Sequence, residues 1–130
     1  MQSSGPSATG KYSHGKTGIA RIVSTLIFSR DGFLTAVYGE AAFRQLLVLH
    51  SVLMITALVV NVSGVERALL LAVCFISLLV ELLNSAIEAV VDRISLERHP
   101  LSKNAKDMGS AAQTTALLMV AVVWGVILLA

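Results

Sequence analysis

The sequence predicts an all-α membrane protein with three transmembrane helices, preceded by an amphipathic helix lying in the membrane interface. Three observations carry this. Hydrophobic residues make up 55% of the 130 positions and charged ones only 14%, too apolar a composition for a soluble domain of this size to hide. The apolar residues gather in three runs, about 46–60, 68–80 and 111–130. Lysines and arginines crowd the segments before the first run and after the second, and avoid the turn between those runs.

Residues 1–15 are polar and rich in Ser and Gly, and read as a disordered tail ahead of a membrane domain over 16–130. No apolar stretch lies near the start, so no cleaved signal peptide is expected. Gly10-Lys11-Tyr12-Ser13-His14-Gly15-Lys16-Thr17 matches the phosphate-loop pattern completely. That loop works only between a buried strand and a helix. The residues before Gly10 cannot form a core strand, and no alternating strand-helix pattern follows, so the match is set aside.

Ile19, Ile22, Val23, Leu26 and Ile27 recur at helical spacing, with Arg21, Ser24, Thr25 and Arg30 among them. This fits an interfacial helix; the competing reading is a soluble helix packed on a partner. Asp31-Gly32 is expected to interrupt it, and Gly39 to mark a bend. The spans are expected at about 42–61, 66–91 and 110–130, each long enough for a hydrocarbon core of roughly 30 Å. Asn61 to Gly64 reads as a short turn. Residues 93–107 read as the one substantial loop, since Pro100 cannot continue a helix smoothly. The third helix is then expected to open near Ser102 or Lys106. Trp124 and the apolar end favour a far-side ending.

Inside the second span, Glu81, Asn84, Ser85, Glu88 and Asp92 recur at steps of three and four, on one stripe of the helix. Ionised groups are expensive in hydrocarbon and face a bundle interior or a wet cavity. The stripe is either a salt-bridged or protonated packing feature or a cation site. No lysine or arginine sits inside the other spans to neutralise it, which favours a bound metal ion. The single cysteine, Cys74, lies in an apolar run and reads as a small buried hydrophobe.

The net charge of +2 is too small to suggest nucleic acid. Its placement is more informative. Lys11, Lys16, Arg21, Arg30 and Arg44 precede the first span; Arg93, Arg98, Lys103 and Lys106 follow the second; the short turn has only Arg67. The positive-inside rule puts the N-terminus and residues 93–107 in the cytoplasm and the C-terminus outside. Glu40, Glu88 and Asp92 then sit at the cytoplasmic side, with Glu81 deeper. Oxygen ligands suit Mg2+, which often bridges a protein to nucleotide phosphates. Three spans offer little shelter, so a symmetric homo-oligomer is expected. From the residues alone, a metal-dependent membrane enzyme and a small oligomeric cation channel both stay open.

Three blocks then resemble the prokaryotic membrane diacylglycerol kinase family, in the same order: Glu40-Ala41-Ala42-Phe43-Arg44-Gln45, Glu81 through Arg93, and Ala105-Lys106-Asp107-Met108-Gly109-Ser110-Ala111-Ala112. The resemblance implies a homotrimer in the bacterial inner membrane. It implies ATP- and Mg2+-dependent phosphorylation of diacylglycerol to phosphatidic acid, in sites shared between subunits, with no obligate protein partner. Relatives of the same plan phosphorylate undecaprenol; the chain length and complete N-terminal helix resemble the diacylglycerol type more.

Carried onto this sequence, Glu81 resembles the catalytic base, and Glu40 and Glu88 the carboxylates that hold magnesium with the nucleotide. Arg21, Phe28, Glu97, Arg98, His99, Lys106 and Asp107 fall at nucleotide-contacting positions. Asn84, Ser110, Ala42 and Arg44 fall on the substrate side or support the site, and Asp92 is a further candidate. Gly39, Leu46, Phe28 and Asp31 depart from the family pattern. The Phe28 position often carries a tyrosine, so a hydroxyl contact is lost there.

Overall fold

The computed structural model describes residues 17–130, which form four helices: α1 (Ile19–Gly39), α2 (Ala41–Val59), α3 (Gly64–Ile94) and α4 (Pro100–Leu129). The polar tail and the phosphate-loop pattern up to Lys16 lie outside the described residues. The chain divides into two compact units, one ending at Thr35 and the other running from Ala36 to Ala130.

The first unit carries most of α1. The helix runs unbroken through Asp31-Gly32, where an interruption was expected. A single Gly costs a helix only about 1 kcal/mol, too little to break it here. The hydroxyls of Thr25, Ser29 and Thr35 donate to the carbonyls of Arg21, Thr25 and Asp31, one turn back. They therefore need no outside partner. The expected bend at Gly39 is present as a helix end, for Glu40 is extended, with φ −131° and ψ 117°.

In the second unit α2, α3 and α4 are each long and apolar enough to cross a membrane. Every one shows an exposed apolar face: Val48, Val52 and Ile55 on α2, Phe75, Leu79 and Leu83 on α3, Leu118, Val122 and Val126 on α4. That is what hydrocarbon rather than water accepts. α3 packs against both α2 and α4. At one end Ala57, Leu70, Val73, Cys74, Val120 and Trp124 form the apolar core. Trp124 is turned into that core, and its Nε1–H donates to the Leu70 carbonyl at 3.3 Å. It pins α4 to α3.

The turn between α2 and α3 is as short as expected, at residues 60–63, and tightly held. Ser63 and Glu66 form a reciprocal cap: the Glu66 N–H donates to Ser63 Oγ at 3.2 Å, and the Ser63 N–H to Glu66 Oε2 at 2.8 Å. Arg67, named above as the one cation of the short turn, donates to the carbonyls of Ala57, Val60 and Val62. It satisfies acceptors at the end of α2 that have no partner within the helix.

The expected loop over 93–107 is mostly helix. α3 continues to Ile94, only residues 95–99 are irregular, and α4 begins at Pro100 rather than near Ser102 or Lys106. Proline suits the first helical position, where its missing N–H would have no partner anyway. His99 caps the helix, its Nδ1 accepting from the Leu101 N–H at 3.1 Å.

Candidate active site

The polar stripe of α3 enters the bundle at a slant. Asp92 is largely exposed, Glu88, Ser85 and Asn84 are half-buried, and Glu81 is buried, with 5% of its surface accessible. Glu81 and Glu88 stand about 10 Å apart along the axis at 1.5 Å per residue.

Glu40 completes this group from α2. It occupies the N-cap position but makes no side-chain cap to its own helix. Its Oε2 instead accepts from Ser85 Oγ at 2.6 Å. Ser85 lies one residue beyond Asn84 and three before Glu88, so the bond sets the Glu40 carboxylate beside the middle of the stripe. Glu81 lies within electrostatic reach of both Glu40 and Glu88. The α1–α2 junction is held by Arg44, whose Nη1 donates to the Val37 and Tyr38 carbonyls at 2.8 and 3.3 Å. Arg44 thus serves the bend before Glu40, while the neighbouring Ala42 is exposed.

Asn84 sits at the closest approach of α3 and α4. Its Oδ1 lies over Gly109, where a Cβ would stand 3.2 Å from Asn84 Cγ and closer still to Oδ1. That Oδ1 is buried without a hydrogen-bond partner among the described residues. Ser110, next to Gly109, is exposed and faces away from this approach, its carbonyl accepting from Thr114 Oγ1 at 3.1 Å.

Beyond Glu88 the stripe opens into a cleft of about 750 Å³ between the end of α3 and the start of α4. Asp92, Glu97, Arg98, His99, Lys106 and Asp107 all line it. Six candidates flanking the α3–α4 connection therefore share one surface. Its volume lies in the usual range for small-molecule sites. The bond His99 accepts from Leu101 assigns Nδ1 as the acceptor, which leaves the proton on Nε2 as a donor. Glu40, Glu81 and Glu88 are not in the cleft lining; they continue it inward along α3.

One inference from charge is corrected here. Asp92 is neutralised from α4, because Lys106 Nζ stands 2.7 Å from its Oδ1. Asp107 pairs with Lys103 one turn back. The sequence showed no cation inside the spans because Lys106 was assigned to a loop. Among the described residues no group of three or more His, Cys, Asp or Glu side chains is arranged to hold a metal ion. This does not conflict with Mg2+, which is commonly held by one or two carboxylates plus substrate phosphates. The half-buried pair Glu40 and Glu88, beside an open cleft, fits that donor set. Arg21 and Phe28 belong to the other unit, and the carbonyl of Arg21 accepts from Thr25.

Sequence reasoning passed over buried polar residues, Ser77 and Gln113 among them. Gln113 of α4 is 8% accessible, and neither polar atom of its amide has a partner among the described residues. Its position on the Gly109, Ala116, Val120, Trp124 stripe was available as a signal, but only once that stripe was known to face α3.

The chain is similar to known proteins over most of its length. A family model described as prokaryotic diacylglycerol kinase matches residues 27–128. A diacylglycerol kinase of Pseudomonas aeruginosa is 62% identical over 115 residues, covering 88% of this chain and 94% of the relative. One of Escherichia coli is 43% identical over 112 residues, 86% of this chain and 92% of the relative. One of Helicobacter pylori is 42% identical over 113 residues, 87% and 88%.

Proposed function

We propose, since this chain belongs to the prokaryotic diacylglycerol kinase family, that it transfers the γ-phosphoryl group of ATP to the hydroxyl of diacylglycerol, giving phosphatidic acid. The observation that carries the reading is the row of carboxylates along α3, from exposed to buried. It runs from the open cleft at Asp92, past Glu88 and the Glu40–Ser85 pair, to the buried Glu81. The polar co-substrate enters at one end and the lipid hydroxyl meets the other.

In this reading the cleft takes the nucleotide. Arg98, His99 Nε2–H and Lys106 meet phosphate oxygens, and Glu97 and Asp107 take donors of the ribose or base. Arg21 and Phe28 are nucleotide-contacting positions by the family resemblance. Glu40 and Glu88 would hold Mg2+ with the nucleotide, and the ion would supply positive charge to offset that on the transferring phosphoryl group. Glu81 takes the proton of the lipid hydroxyl. The new bond joins that oxygen to the γ-phosphorus, the bond to the β–γ bridging oxygen breaks, ADP leaves, and the proton stays on the Glu81 carboxyl. Asn84 and Ser110, with Ala42 and Arg44, support the lipid side. Asp92, paired to Lys106, shapes the cleft.

Residues 16–130 form the catalytic membrane domain and 1–15 a polar tail. The exposed apolar residues Ile19, Ile22, Leu26 and Ile27 support an interfacial position for α1. The distribution of Lys and Arg supports a cytoplasmic N-terminus and α3–α4 junction. Three subunits around a common axis would shelter the carboxylate stripe. The relatives named above favour diacylglycerol over undecaprenol, and phosphoryl transfer over ion conduction.

The test is turnover of Mg-ATP with diacylglycerol or undecaprenol in mixed micelles, with Mg2+ titrated for Glu81→Gln and Glu88→Gln. Glu88→Gln is expected to raise the metal requirement strongly. Glu81→Gln is expected to lower turnover at saturating metal and leave Mg-ATP binding intact. Rescue of Glu81→Gln, but not Glu88→Gln, by raised metal would exchange the two roles. A clear preference for undecaprenol would replace the lipid.

A further inference from the structure

Two complementary stripes meet where α3 packs on α4. On α3 they are Leu70, Cys74, Ser77, Glu81 and Asn84; on α4 they are Gly109, Gln113, Ala116, Val120 and Trp124. Two contacts fix their antiparallel register: Trp124 Nε1–H to the Leu70 carbonyl at one end, Gly109 against Asn84 at the other. Counting eleven residues back from Trp124 and eleven on from Leu70 reaches Gln113 and Glu81. Counting four on from Gly109 and four back from Asn84 reaches Gln113 and Val80, the neighbour of Glu81. Both anchors bring Gln113 level with Glu81.

The next level toward the core pairs Ser77 with Ala116, and the one after joins Cys74 to Val120; both are polar on one helix at most. Among these buried levels, only the Glu81–Gln113 one has a hydrogen-bonding side chain from each helix. A buried amide with no partner costs about 1–3 kcal/mol, and hydrocarbon offers no water to reduce that cost. A residue of similar length without the amide would pack there more favourably. The amide has a natural acceptor across the level, the carboxylate of Glu81.

We propose that Gln113 is a positioning residue for Glu81, its amide N–H donating to one carboxylate oxygen so that the other is aimed at the lipid hydroxyl. The inference rests on the assignment of Glu81 as the proton acceptor. It adds a residue from α4 to the buried carboxylate group, which α2 and α3 otherwise supply. A carboxylate held in one rotamer loses less on reaching the reactive geometry than a free one.

The experiment compares the parent protein with Gln113→Met and Gln113→Glu in diacylglycerol micelles with Mg-ATP, measuring kcat, both KM values and the thermal midpoint. Gln113→Met keeps the shape and removes the amide. It is expected to lower kcat about tenfold, with both KM values within about twofold and a midpoint equal to or above the parent's. Gln113→Glu keeps the shape, offers no amide donor and adds a like charge, and is expected to fall further. A kcat for Gln113→Met within about twofold of the parent overturns the proposal. So does a loss of stability in which the folded fraction keeps the parental kcat. Should Gln113→Met not assemble, Gln113→Leu is read by the same two criteria. An inactive parent, or full turnover by Glu81→Gln, would instead remove the underlying assignment of the site.

Discussion

The side-chain oxygen of Asn84 occupies the space into which a Cβ at position 109 would project. Glycine is needed there because α4 passes close over α3 at a side chain, since the backbone at Gly109 is ordinary helix. Gly109→Ala should therefore destabilise the bundle by about 1–3 kcal/mol, the usual cost of overpacking. It should also lower turnover, because relief requires the Asn84 amide to swing out of place. Gly109→Ala with Asn84→Ala should recover much of the stability and none of the activity. Thermal unfolding in detergent and initial rates would check both, and additive stability losses would show that the two positions do not share the space.

Trp124 supplies a second anchor at the far end of the same interface. Trp124→Ala should cost about 3–5 kcal/mol, the range for deleting a buried large aromatic. Trp124→Phe, which keeps a ring and loses a long hydrogen bond, should cost about 1 kcal/mol or less. Because this is the single tryptophan, its fluorescence reports the core directly. Its emission should be blue-shifted and protected from acrylamide in the folded protein. Water-like emission under native conditions would contradict the packing.

Much of this architecture was legible in the sequence because hydrophobic runs and steps of three and four are local. The Glu81-to-Asp92 stripe and the three spans follow from such patterns, whereas Glu40 was placed by the distribution of Lys and Arg and by the family resemblance. Helix ends were less legible. Pro100 was read as a breaker when His99 makes it a start, and Gly32 as a break when its neighbours carry the helix through. Pairings across helices were not legible at all. Lys106 with Asp92, Arg67 with the end of α2, and Gln113 level with Glu81 all depend on register. That register is set by contacts such as Trp124 to Leu70, 54 residues apart.

The phosphate-loop pattern at Gly10–Thr17 should be without catalytic consequence. No strand exists among the described residues to hold such a loop, and the cleft at the α3–α4 junction offers the nucleotide another seat. Lys16→Ala should leave kcat and the KM for Mg-ATP within about threefold of the parent. A thousandfold loss would restore the motif.

Orientation can be read with single cysteines in a Cys74→Ala background. Position 61, in the turn before α3, and position 96, in the connection to α4, are both exposed and lie at opposite ends of α3. An impermeant maleimide added to intact cells should label Asn61→Cys and spare Leu96→Cys until the cells are opened. The reverse pattern would overturn the cytoplasmic placement of the cleft.

Ser85 offers the most direct test of how the carboxylates are arranged. A glutamate at an N-cap has backbone N–H groups within easy reach, and the positive end of the helix dipole favours its charge there. Glu40 forgoes such a side-chain bond and takes the Ser85 hydroxyl at 2.6 Å instead. Removing that hydroxyl should free the carboxylate to turn back onto α2. Ser85→Ala should therefore change stability by no more than about 1 kcal/mol, since a capping bond replaces the one lost. It should nevertheless raise the Mg2+ concentration for half-maximal turnover several-fold, because Glu40 would spend less time beside Glu88. Turnover at saturating Mg2+ should recover to within about threefold of the parent, as every proposed ligand is still present. Ser85→Thr keeps the hydroxyl and should retain the parental metal dependence. If Ser85→Ala lowers turnover equally at all Mg2+ concentrations, the hydroxyl serves the reaction by a route other than holding Glu40.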